Sequence, residues 1–254
     1  MGSLKRTILI LGGTGEGMAM ADTLCRHGEE WRVISSLAGR VANPRLPPGE
    51  FRIGGFGGSA GLARYLGEYG VFAVIDATHP FARRMGWNAA EAATATGTPL
   101  LRLARPAWIA QPGDHWTEID DWSQAVALLR DGQRRVFLAL GRQELASFTS
   151  LVNTGFVIRS VEPPDSGLQF AQAEFVQARG PFRLEDERAL LQSRDIDCIV
   201  CKNSGGNATY AKLIAARELG IDVIMQRRPA RPDVAAVASV DSALAWLREL
   251  TSAA

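Results

Sequence analysis

The chain has 254 residues, of which 46% are hydrophobic and 22% charged, and its 28 basic residues balance 27 acidic ones to a formal net charge of +1. This composition excludes wholesale disorder, and the near-neutral charge gives no electrostatic reason to expect nucleic acid as a partner. No apolar run reaches the roughly 18 residues that a membrane span needs. The start of the chain leads into a strand-like run without a small-residue cleavage site, so we expect a cytoplasmic protein with no membrane partner.

Short β-branched runs alternate with helical patterns along the whole chain, which predicts an α/β fold with mainly parallel sheets. In the first half the predicted strands are Thr7–Leu11, Trp31–Ser35, Glu50–Ile53, Phe72–Ile75 and Leu100–Leu103. The predicted helices of this half are Gly17–His27, Leu62–Tyr69 and Ala82–Thr96. This alternation is typical of a nucleotide-binding unit, so we assign residues 1–105 to a Rossmann-like, cofactor-binding domain.

Two prolines within Arg105–Pro112 interrupt the alternation and indicate a crossover between domains. In the second half the predicted strands are Arg135–Ala139, Phe156–Ile158, Cys198–Cys201, Val223–Met225 and Ala235–Ser239. The predicted helices there are Ser123–Leu129, Gln143–Leu151, Leu184–Ser193, Ala208–Leu219 and Ser242–Leu250. We assign residues 106–254 to a second, substrate-binding α/β domain, and we expect two Rossmann-like lobes with an interdomain cleft.

Cys198 and Cys201 form a C-x-x-C pattern inside a predicted buried strand. Residues three apart on a strand point to opposite faces, so these thiols are poorly placed to share a metal ion or a disulfide. We therefore interpret them as small core residues. The total of three cysteines is odd, which fits a reducing compartment, and the three histidines show no ligand spacing, so we expect no metal site.

The strongest local signal is the glycine-rich turn Gly12-Gly-Thr-Gly-Glu-Gly17 between the first strand and the first helix. Such a turn lets bare backbone approach a phosphate, while the helix amino terminus adds unpaired N–H groups and a positive dipole end. The predicted cofactor-binding residues of this turn are Gly12, Gly13, Thr14, Gly15, Glu16 and Gly17.

The alternative for this turn is a tight strand–helix connection without a ligand. The spacing departs from G-x-G-x-x-G, because Met18 stands at the position of the third glycine. Glu16 would repel a pyrophosphate, so we expect it to cap the helix or to bind a ribose hydroxyl.

The end of the second strand indicates which nicotinamide cofactor binds. NAD sites usually carry an acidic residue there, and none appears in this chain before Glu50. Ser35, Ser36 and Arg40 instead offer hydroxyls and a guanidinium, which suit a 2′-phosphate. We predict NADPH as the cofactor; a solvated polar loop is the alternative.

Two further loops follow strands of the same predicted sheet. Gly55 lies in the run Gly54–Gly58, whose glycines tolerate a flat ligand close to the backbone. Ala77, Thr78 and His79 follow the fourth strand, where we expect the nicotinamide half of the cofactor. His79 is a candidate proton donor as well as a cofactor contact, although a surface or capping role is equally compatible with a lone histidine. Tyr210 and water are the other candidate proton donors.

In the second half, a buried strand ends in a second glycine-containing loop. Its predicted substrate-binding residues are Lys202, Asn203, Ser204, Gly205 and Gly206. Arg142 and Arg228 also end strands, as do Arg159 and Arg227. Several cations at the carboxyl ends of strands indicate a substrate with multiple carboxylates, whereas the alternative is surface arginines paired with acids.

These segments together resemble the precorrin-6A reductase family, called CobK or CbiJ, over nearly the whole chain. The matching segments are Leu11–Gly17, Asp76–Ala82, Arg102–Trp108, Lys202–Gly206 and Arg228-Pro229. The resemblance implies NADPH-dependent reduction of a double bond of precorrin-6A, by hydride transfer to the macrocycle, giving precorrin-6B in cobalamin biosynthesis. It also implies that the substrate is a large tetrapyrrole bearing acetate and propionate groups.

Two other function classes remain as alternatives. An S-adenosylmethionine-dependent methyltransferase shares a glycine-rich first turn but normally carries an acid after the second strand. An NADPH-binding sensor or scaffold leaves the cations of the second half unexplained. A short-chain dehydrogenase is disfavoured, because Tyr210 is followed by Lys212 and no tyrosine is followed four residues later by lysine. The sequence is compatible with a monomer and leaves the oligomeric state open.

Overall fold

A computed structural model of the chain describes residues 5–28, 30–39, 44–130, 132, 134–163 and 167–253. The strands are β1 Arg6–Leu11, β2 Trp31–Leu37, β3 Glu50–Ile53, β4 Val71–Asp76, β5 Leu100–Leu103, β6 Trp116–Ile119, β7 Arg135–Ala139, β8 Gly155–Ser160, β9 Ala173–Gln177, β10 Cys198–Lys202, β11 Asp222–Gln226 and β12 Ala236–Val237. The helices are α1 Gly15–Arg26, α2 Ser59–Glu68, α3 Arg83–Thr96, α4 Trp122–Leu129, α5 Leu184–Ser193, α6 Ala211–Leu219 and α7 Val240–Ala253, with a 3₁₀ helix at Arg142–Phe148.

The strands form two six-stranded sheets in which every pairing between neighbours is parallel. The first sheet has the order β12-β5-β4-β1-β2-β3, and the second has the order β6-β11-β10-β7-β8-β9. The strand order reverses between β1 and β4 in the first sheet and between β7 and β10 in the second. Such reversals are where doubly wound sheets bind ligands, beyond the carboxyl ends of the strands. The predicted α/β fold with parallel sheets is confirmed.

The first sheet takes its outermost strand, β12, from a segment that follows the second unit in the chain. The strand that follows β5 in the chain, β6, joins the second sheet, and the strand that follows β11, β12, joins the first. The chain therefore divides into a first unit, which runs to Pro106 and resumes at Pro229, and a second unit, Ala107–Arg228.

This division corrects the assignment of all residues from 106 to 254 to the second domain. β12 lies beside β5, with Ala236 paired to Arg102, and Arg102 N donates to Ala235 O at 2.8 Å. Helix α7 follows β12 and buries Ala243 and Leu247 in the same apolar cluster as the first strand. Sequence periodicity identifies the strand and the helix but carries no information about which distant edge they pair with.

Alternate residues of β1 fill the two apolar layers of the first unit. Ile8 and Ile10 pack with side chains of α1 and α7, whereas Leu9 and Leu11 pack against α2 and α3. The second sheet is covered on both faces in the same way by two further clusters. Burial on both faces explains why the central strands are nearly continuous apolar runs, with each fully buried large side chain worth about 1.5–3 kcal/mol.

The sequence missed two edge strands and misassigned one helix. β6 and β9 are short strands at opposite edges of the second sheet, and β9 alternates exposed and half-buried residues. The predicted helix Gln143–Leu151 is a 3₁₀ helix over Arg142–Phe148. Edge strands carry weak apolar patterns, so a sequence pattern does not distinguish them from loops. A short apolar turn fits an α-helix and a 3₁₀ helix equally well, so the pattern does not distinguish these either.

The two cysteines of the C-x-x-C pattern are core residues, as predicted. Cys198 and Cys201 are 0% and 1% exposed in β10, and burial raises the pKa of the Cys198 thiol to about 12. Among the described residues, no three His, Cys, Asp or Glu side chains are grouped as a metal site would need. No helix in the described part of the chain has the length and apolar character needed to cross a membrane.

Arg159 lies in the core of the second unit, so its grouping with the strand-end cations is wrong. Its guanidinium forms a two-bond ion pair with Glu187, and the second bond, from Nη2 to Oε2, is 3.1 Å long. The side chains are 6% and 2% exposed. The rings of Phe137 and Phe182 lie 4.8 and 3.6 Å from the guanidinium carbon. The pair therefore joins β8 to α5 in a nearly dry environment.

Breaking this pair from one side will destabilise the protein strongly. Glu187→Gln leaves a buried guanidinium without a counter-charge, so we expect the free energy of unfolding to fall by about 3–5 kcal/mol. Replacing both partners, in Arg159→Met with Glu187→Leu, will recover most of this loss. Urea unfolding followed by circular dichroism measures both effects, with Glu218→Gln at the more exposed Arg188–Glu218 pair as the control. Equal losses in Glu187→Gln and Glu218→Gln would contradict this expectation.

Candidate functional site

Thr14 joins the two loops that flank the reversal of strand order in the first sheet. It is the N-cap of α1, where its Oγ1 accepts a hydrogen bond from Gly17 N at 3.2 Å. The same hydroxyl donates to Ala77 O at 2.7 Å, in the loop after β4. Because Leu11 and Asp76 are register partners on adjacent strands, both loops leave the sheet at one edge. The turn after β1 and the loop after β4 therefore form a single surface.

The glycines of this turn meet two different backbone requirements. Gly13 has a φ of +108°, a conformation that residues with a Cβ rarely adopt. At Gly17 an added Cβ would lie 3.3 Å from both the Ala77 Cβ and the Gly12 Cα, so helix α1 packs closely against the loop after β4. The exposed backbone at Gly13 and Gly15, just before the helix amino terminus, provides a cradle of the kind that binds phosphate.

Glu16 neither caps the helix nor stands alone. Thr14 is the cap, and Glu16 Oε2 accepts a hydrogen bond from Arg105 Nη1 at 2.7 Å. The side chains of Arg105 and Glu16 are 18% and 27% exposed. The arginine offsets the negative charge of Glu16 beside the helix amino terminus, which reduces the repulsion expected for an anion bound there. Arg105 lies in the segment Arg102–Trp108 that the sequence analysis singled out, but no local sequence pattern links Arg105 to Glu16.

The predicted 2′-phosphate residues do not all share one position. Ser35 is 2% exposed, and its hydroxyl has no hydrogen-bond partner among the described residues. Ser36 Oγ accepts a hydrogen bond at 2.7 Å from Nη1 of Arg52, at the carboxyl end of β3. Arg40 lies outside the described residues. Both serines are buried, at 2% and 7% exposure, and the structure brings Arg52, which the sequence analysis missed, to Ser36.

Arg52 is held by its neighbours with one face against an aromatic ring. Its guanidinium donates to the backbone oxygens of Gly54 at 2.9 Å and Gly55 at 3.0 Å. The guanidinium carbon lies 3.9 Å from the centroid of the Phe56 ring. Gly55 therefore contributes its carbonyl to the placement of Arg52. An arginine followed by glycines at the end of the third strand is the sequence signal that identifies this residue.

Asp76 organises the loop after β4. Its Oδ1 accepts hydrogen bonds from Thr78 N at 3.1 Å and Thr78 Oγ1 at 2.6 Å. Within the same loop, His79 Nδ1 accepts a hydrogen bond from Phe81 N at 3.2 Å. With Nδ1 acting as an acceptor, the neutral imidazole carries its proton on Nε2. The His79 ring is therefore oriented with Nε2 as its hydrogen-bond donor.

The predicted cations of the second unit lie at one edge of its sheet. Lys202 ends β10, Arg142 follows β7, and Arg228 follows β11, and β10 lies between the other two strands. Lys202 Nζ contacts Glu144 Oε1, and Arg142 Nη2 lies 2.9 Å from Glu162 Oε2. This edge therefore combines cations with carboxylate partners at the reversal of strand order. Arg142, Lys202 and Arg228 thus end or follow three neighbouring strands, and their binding of substrate stays a prediction.

The loop after β10 is built around the side chain of Asn203. Its amide exchanges two hydrogen bonds with the backbone of Trp108, at 2.8 and 2.9 Å, and Trp108 Nε1 donates to Gly206 O at 2.8 Å. Asn203 is 5% exposed and supports the loop through these bonds, and its contact with substrate stays a prediction. Gly205 and Gly206 have φ values of +69° and +70°, which explains the glycine pair.

Arg228 and Tyr210 both follow the Gly205-Gly206 pair of this loop in the sequence and have different partners. Arg228 donates to the backbone oxygens of Asn203 at 3.0 Å and Ser204 at 3.1 Å, so it holds the loop directly. The hydroxyl of Tyr210 accepts a hydrogen bond from Arg217 Nη2 at 3.2 Å. Arg217 in turn donates to both carboxylate oxygens of Asp114, at 2.8 and 2.9 Å. The Tyr210 hydroxyl is thereby tied to this ion pair rather than to the loop after β10.

Comparison with known proteins gives a consistent result over nearly the whole chain. A family model described as "Precorrin-6x reductase CbiJ/CobK" matches residues 7–248. A precorrin-6A reductase from Sinorhizobium sp is 50% identical over 94% of this chain and 92% of its own length. Its counterpart from Rhodococcus erythropolis is 49% identical over 96% of this chain and 98% of its own. The solved structure of a CobK precorrin-6A reductase superposes with a TM-score of 0.91 at 44% identity, covering 96% of this chain and 97% of that one.

Removing the Thr14 hydroxyl will loosen the joined loops. Thr14→Ala loses the helix cap and the bond to Ala77 O, and loss of such a cap costs about 1 kcal/mol of folding free energy. Thr14→Ser keeps a hydroxyl and should stay within a few tenths of a kcal/mol of the parent. Chemical denaturation measures both variants. Equal stabilities for Thr14→Ala and Thr14→Ser would show that the hydroxyl does not hold these loops.

Proposed function

The chain belongs to the precorrin-6x reductase family CbiJ/CobK, and from this premise we propose that it reduces a double bond of precorrin-6A, giving precorrin-6B in cobalamin biosynthesis. The enzyme is an oxidoreductase that uses a nicotinamide cofactor, and we propose NADPH as that cofactor. The main support for this reaction is the family match over residues 7–248. The matched range includes the segments after β1 and β4 in the first unit and those after β7 and β10 in the second.

A bound nicotinamide nucleotide fits the first unit. The positive φ of Gly13 and the close packing at Gly17 provide a backbone cradle that a Cβ would disturb. Thr14 and Glu16 are held in place by Ala77 and Arg105, so the turn needs no rearrangement to present its amides. Gly12, Gly13, Gly15 and the α1 amino terminus would hold the pyrophosphate, with Thr78 and His79 toward the nicotinamide.

The choice of NADPH over NADH is supported by Arg52 and Ser36. A guanidinium and a hydroxyl lie 2.7 Å apart at the carboxyl ends of β2 and β3, where a Rossmann fold holds the adenosine ribose. No acidic side chain follows β2 among the described residues before Glu50, which lies at the amino end of β3. An arginine with a serine hydroxyl is suited to a 2′-phosphate. A carboxylate at the end of β2, as in NAD sites, would repel that phosphate.

The second unit supplies the features that suit a tetrapyrrole with acetate and propionate groups. Lys202, Arg142 and Arg228 share one sheet edge and would bind carboxylates of the substrate. Lys202 and Arg142 already contact Glu144 and Glu162, so substrate carboxylates would replace or join these partners. Ser204 and the glycine backbone of the same loop offer further polar groups.

In the reaction, the reduced nicotinamide supplies the hydride, and the chain supplies position and a proton. The cations of the second unit orient the macrocycle through its carboxylates, which reduces the entropy cost of alignment. We propose that His79 donates the proton from Nε2 in its imidazolium form, in which Nδ1 is also protonated and gives up the hydrogen bond from Phe81 N; donation then restores the neutral imidazole. Tyr210 is the weaker candidate, since its hydroxyl is bound by Arg217.

Family membership favours a reductase over the alternatives of a methyltransferase or a cofactor sensor. The direct test is to mix purified protein, NADPH and precorrin-6A and to follow loss of the reduced-nicotinamide absorbance. Oxidation in step with formation of the reduced macrocycle supports the proposal. Tryptophan quenching by S-adenosylmethionine without quenching by NADPH, or binding of NADPH without oxidation, would overturn it.

Arg52→Gln will change the cofactor preference. Loss of a charge-assisted hydrogen bond, worth about 1.5–3 kcal/mol, should raise the KM for NADPH by about tenfold to a hundredfold and leave that for NADH nearly unchanged. Steady-state rates with each cofactor measure the change. Arg32→Gln is the matched control, because Arg32 pairs with Glu50 at the amino end of β2. An equal loss of affinity for both cofactors would contradict a role in reading the 2′-phosphate.

His79→Ala will slow the chemical step. Loss of a positioned proton donor should lower the single-turnover rate by about 10²–10⁴-fold while the Kd for NADPH stays within a small factor. Stopped-flow oxidation of NADPH and fluorescence titration separate the two quantities. His115→Ala, at a half-exposed histidine of the second unit, is the control. A variant with unchanged rate and unchanged Kd would exclude His79 from the site.

A further inference from the structure

Arg231 lies on the segment that follows the second unit, and its guanidinium packs against the loop after β4. Its side chain is 12% exposed. Nη2 contacts Asp76 Oδ2 and lies 3.4 Å from Thr78 Oγ1. Nη1 donates to the backbone oxygens of His79 at 3.4 Å and Ala82 at 3.2 Å. All four contacts fall within residues 76–82, although Arg231 is about 150 residues away in the chain.

Asp76 links these contacts to the polar groups of the loop. One carboxylate oxygen accepts two hydrogen bonds from Thr78, and the other contacts Arg231. The Asp76 side chain is 4% exposed, so its charge depends on the guanidinium for compensation. The conformation of the chain between β4 and α3 is therefore fixed by two side chains. Asp76 binds Thr78 within the loop, and Arg231 binds the loop from a distant segment.

Gly86 gives independent support for a specific role of this guanidinium. A Cβ at Gly86, in the first turns of α3, would lie 2.5 Å from both the Cζ and the Nε of Arg231. A helix interior disfavours glycine, so the chain keeps a residue that weakens α3 where the guanidinium packs. The Nε of Arg231 is also buried without a hydrogen-bond partner among the described residues. The helical glycine and this buried Nε both cost stability. We therefore infer that the packing of Arg231 on Gly86 serves to place the guanidinium rather than to stabilise the fold.

We propose that Arg231 is a positioning residue of the reductase, which fixes the Asp76–Ala82 loop so that Thr78 and His79 meet the nicotinamide end of the cofactor. This inference rests on the proposed function and deepens it. Arg231 touches the loop through Asp76, Thr78 and two backbone oxygens, so it acts on the reaction only through the placement of that loop.

Arg228 lies three residues earlier and has a different target. It donates to Asn203 O and Ser204 O in the loop of the second unit. Two arginines of one short segment therefore hold the candidate substrate loop and the candidate cofactor loop respectively. Changes at Arg228 should act on the KM for the tetrapyrrole, whereas changes at Arg231 should act on NADPH binding and the hydride-transfer step.

Chemical rescue distinguishes positioning from stability. In Arg231→Ala we expect the single-turnover rate with precorrin-6A to fall by about a hundredfold, as displacement of a catalytic loop by about 1 Å does. Guanidinium chloride at a concentration well below the unfolding transition should restore part of this rate, with sodium chloride at equal concentration as the control. A purely stabilising role predicts the opposite, because guanidinium weakens an already destabilised fold. Arg248→Ala, on the exposed face of α7, should show neither loss nor rescue.

Gly86→Ala tests the same contact without altering the arginine. It should lower the rate in the parent protein, because the new methyl group displaces the guanidinium, and have little effect when Arg231 is already alanine. Gly67→Ala is the matched control, since a Cβ at this helical glycine of α2 meets no atom within 4 Å. Additive losses in the double variant, or absence of guanidinium rescue, would overturn the proposal.

The two proposals fail in different ways. If the parent protein does not oxidise NADPH with precorrin-6A, the proposed function is overturned, and the same variants are then compared by their Kd for NADPH. A weaker Kd in Arg231→Ala that guanidinium restores supports the positioning role without turnover. An unchanged Kd in that case would overturn it, and failure of the parent protein to bind NADPH would overturn both.

Discussion

Parallel strands deliver all their carboxyl ends to one edge of a sheet, and this constraint decides where the chemistry of the chain lies. In both sheets the strand order reverses between two central strands, so the connections that follow them diverge and leave the edge open. The turn after β1 and the loop after β4 flank this point in the first unit, and the segments after β7 and β10 flank it in the second. Every candidate side chain depends on this geometry, because residues distant in sequence reach one edge.

Most of the fold follows from local patterns. The strands Glu50–Ile53, Leu100–Leu103 and Arg135–Ala139 have the predicted bounds, because turn residues on both sides mark where each strand begins and ends. The edge strands β6 and β9 were missed, because they are partly exposed and their sequences lack the continuous apolar run of a central strand. The place of β12 beside β5 is a pairing between distant segments, which periodicity cannot encode.

The candidate site was predictable in outline but not in its partners. Glycines and strand-end cations are local signals, so the turn after β1 and the cations Arg142, Lys202 and Arg228 can be proposed from their places at the ends of predicted strands. Which serine bonds to Arg52 was not identified, because Ser35 and Ser36 are both buried and differ only in strand phase. The pairs Glu16–Arg105, Ser36–Arg52 and Asn203–Trp108 each join separate segments, and their roles follow from the fold.

The return of the chain to the first sheet at β12 has a consequence for the order in which the two units are completed on the ribosome. The second unit is continuous, so all of its strands have been synthesised once translation passes Gln226. The first unit begins earlier but leaves the edge of β5 uncovered until Ala236 and Val237 emerge. Arg231 is also translated in this final stretch. The unit that starts first is thus completed after the second, and a nascent chain stalled before Ala236 would have all the strands of the second sheet but lack the outermost strand of the first.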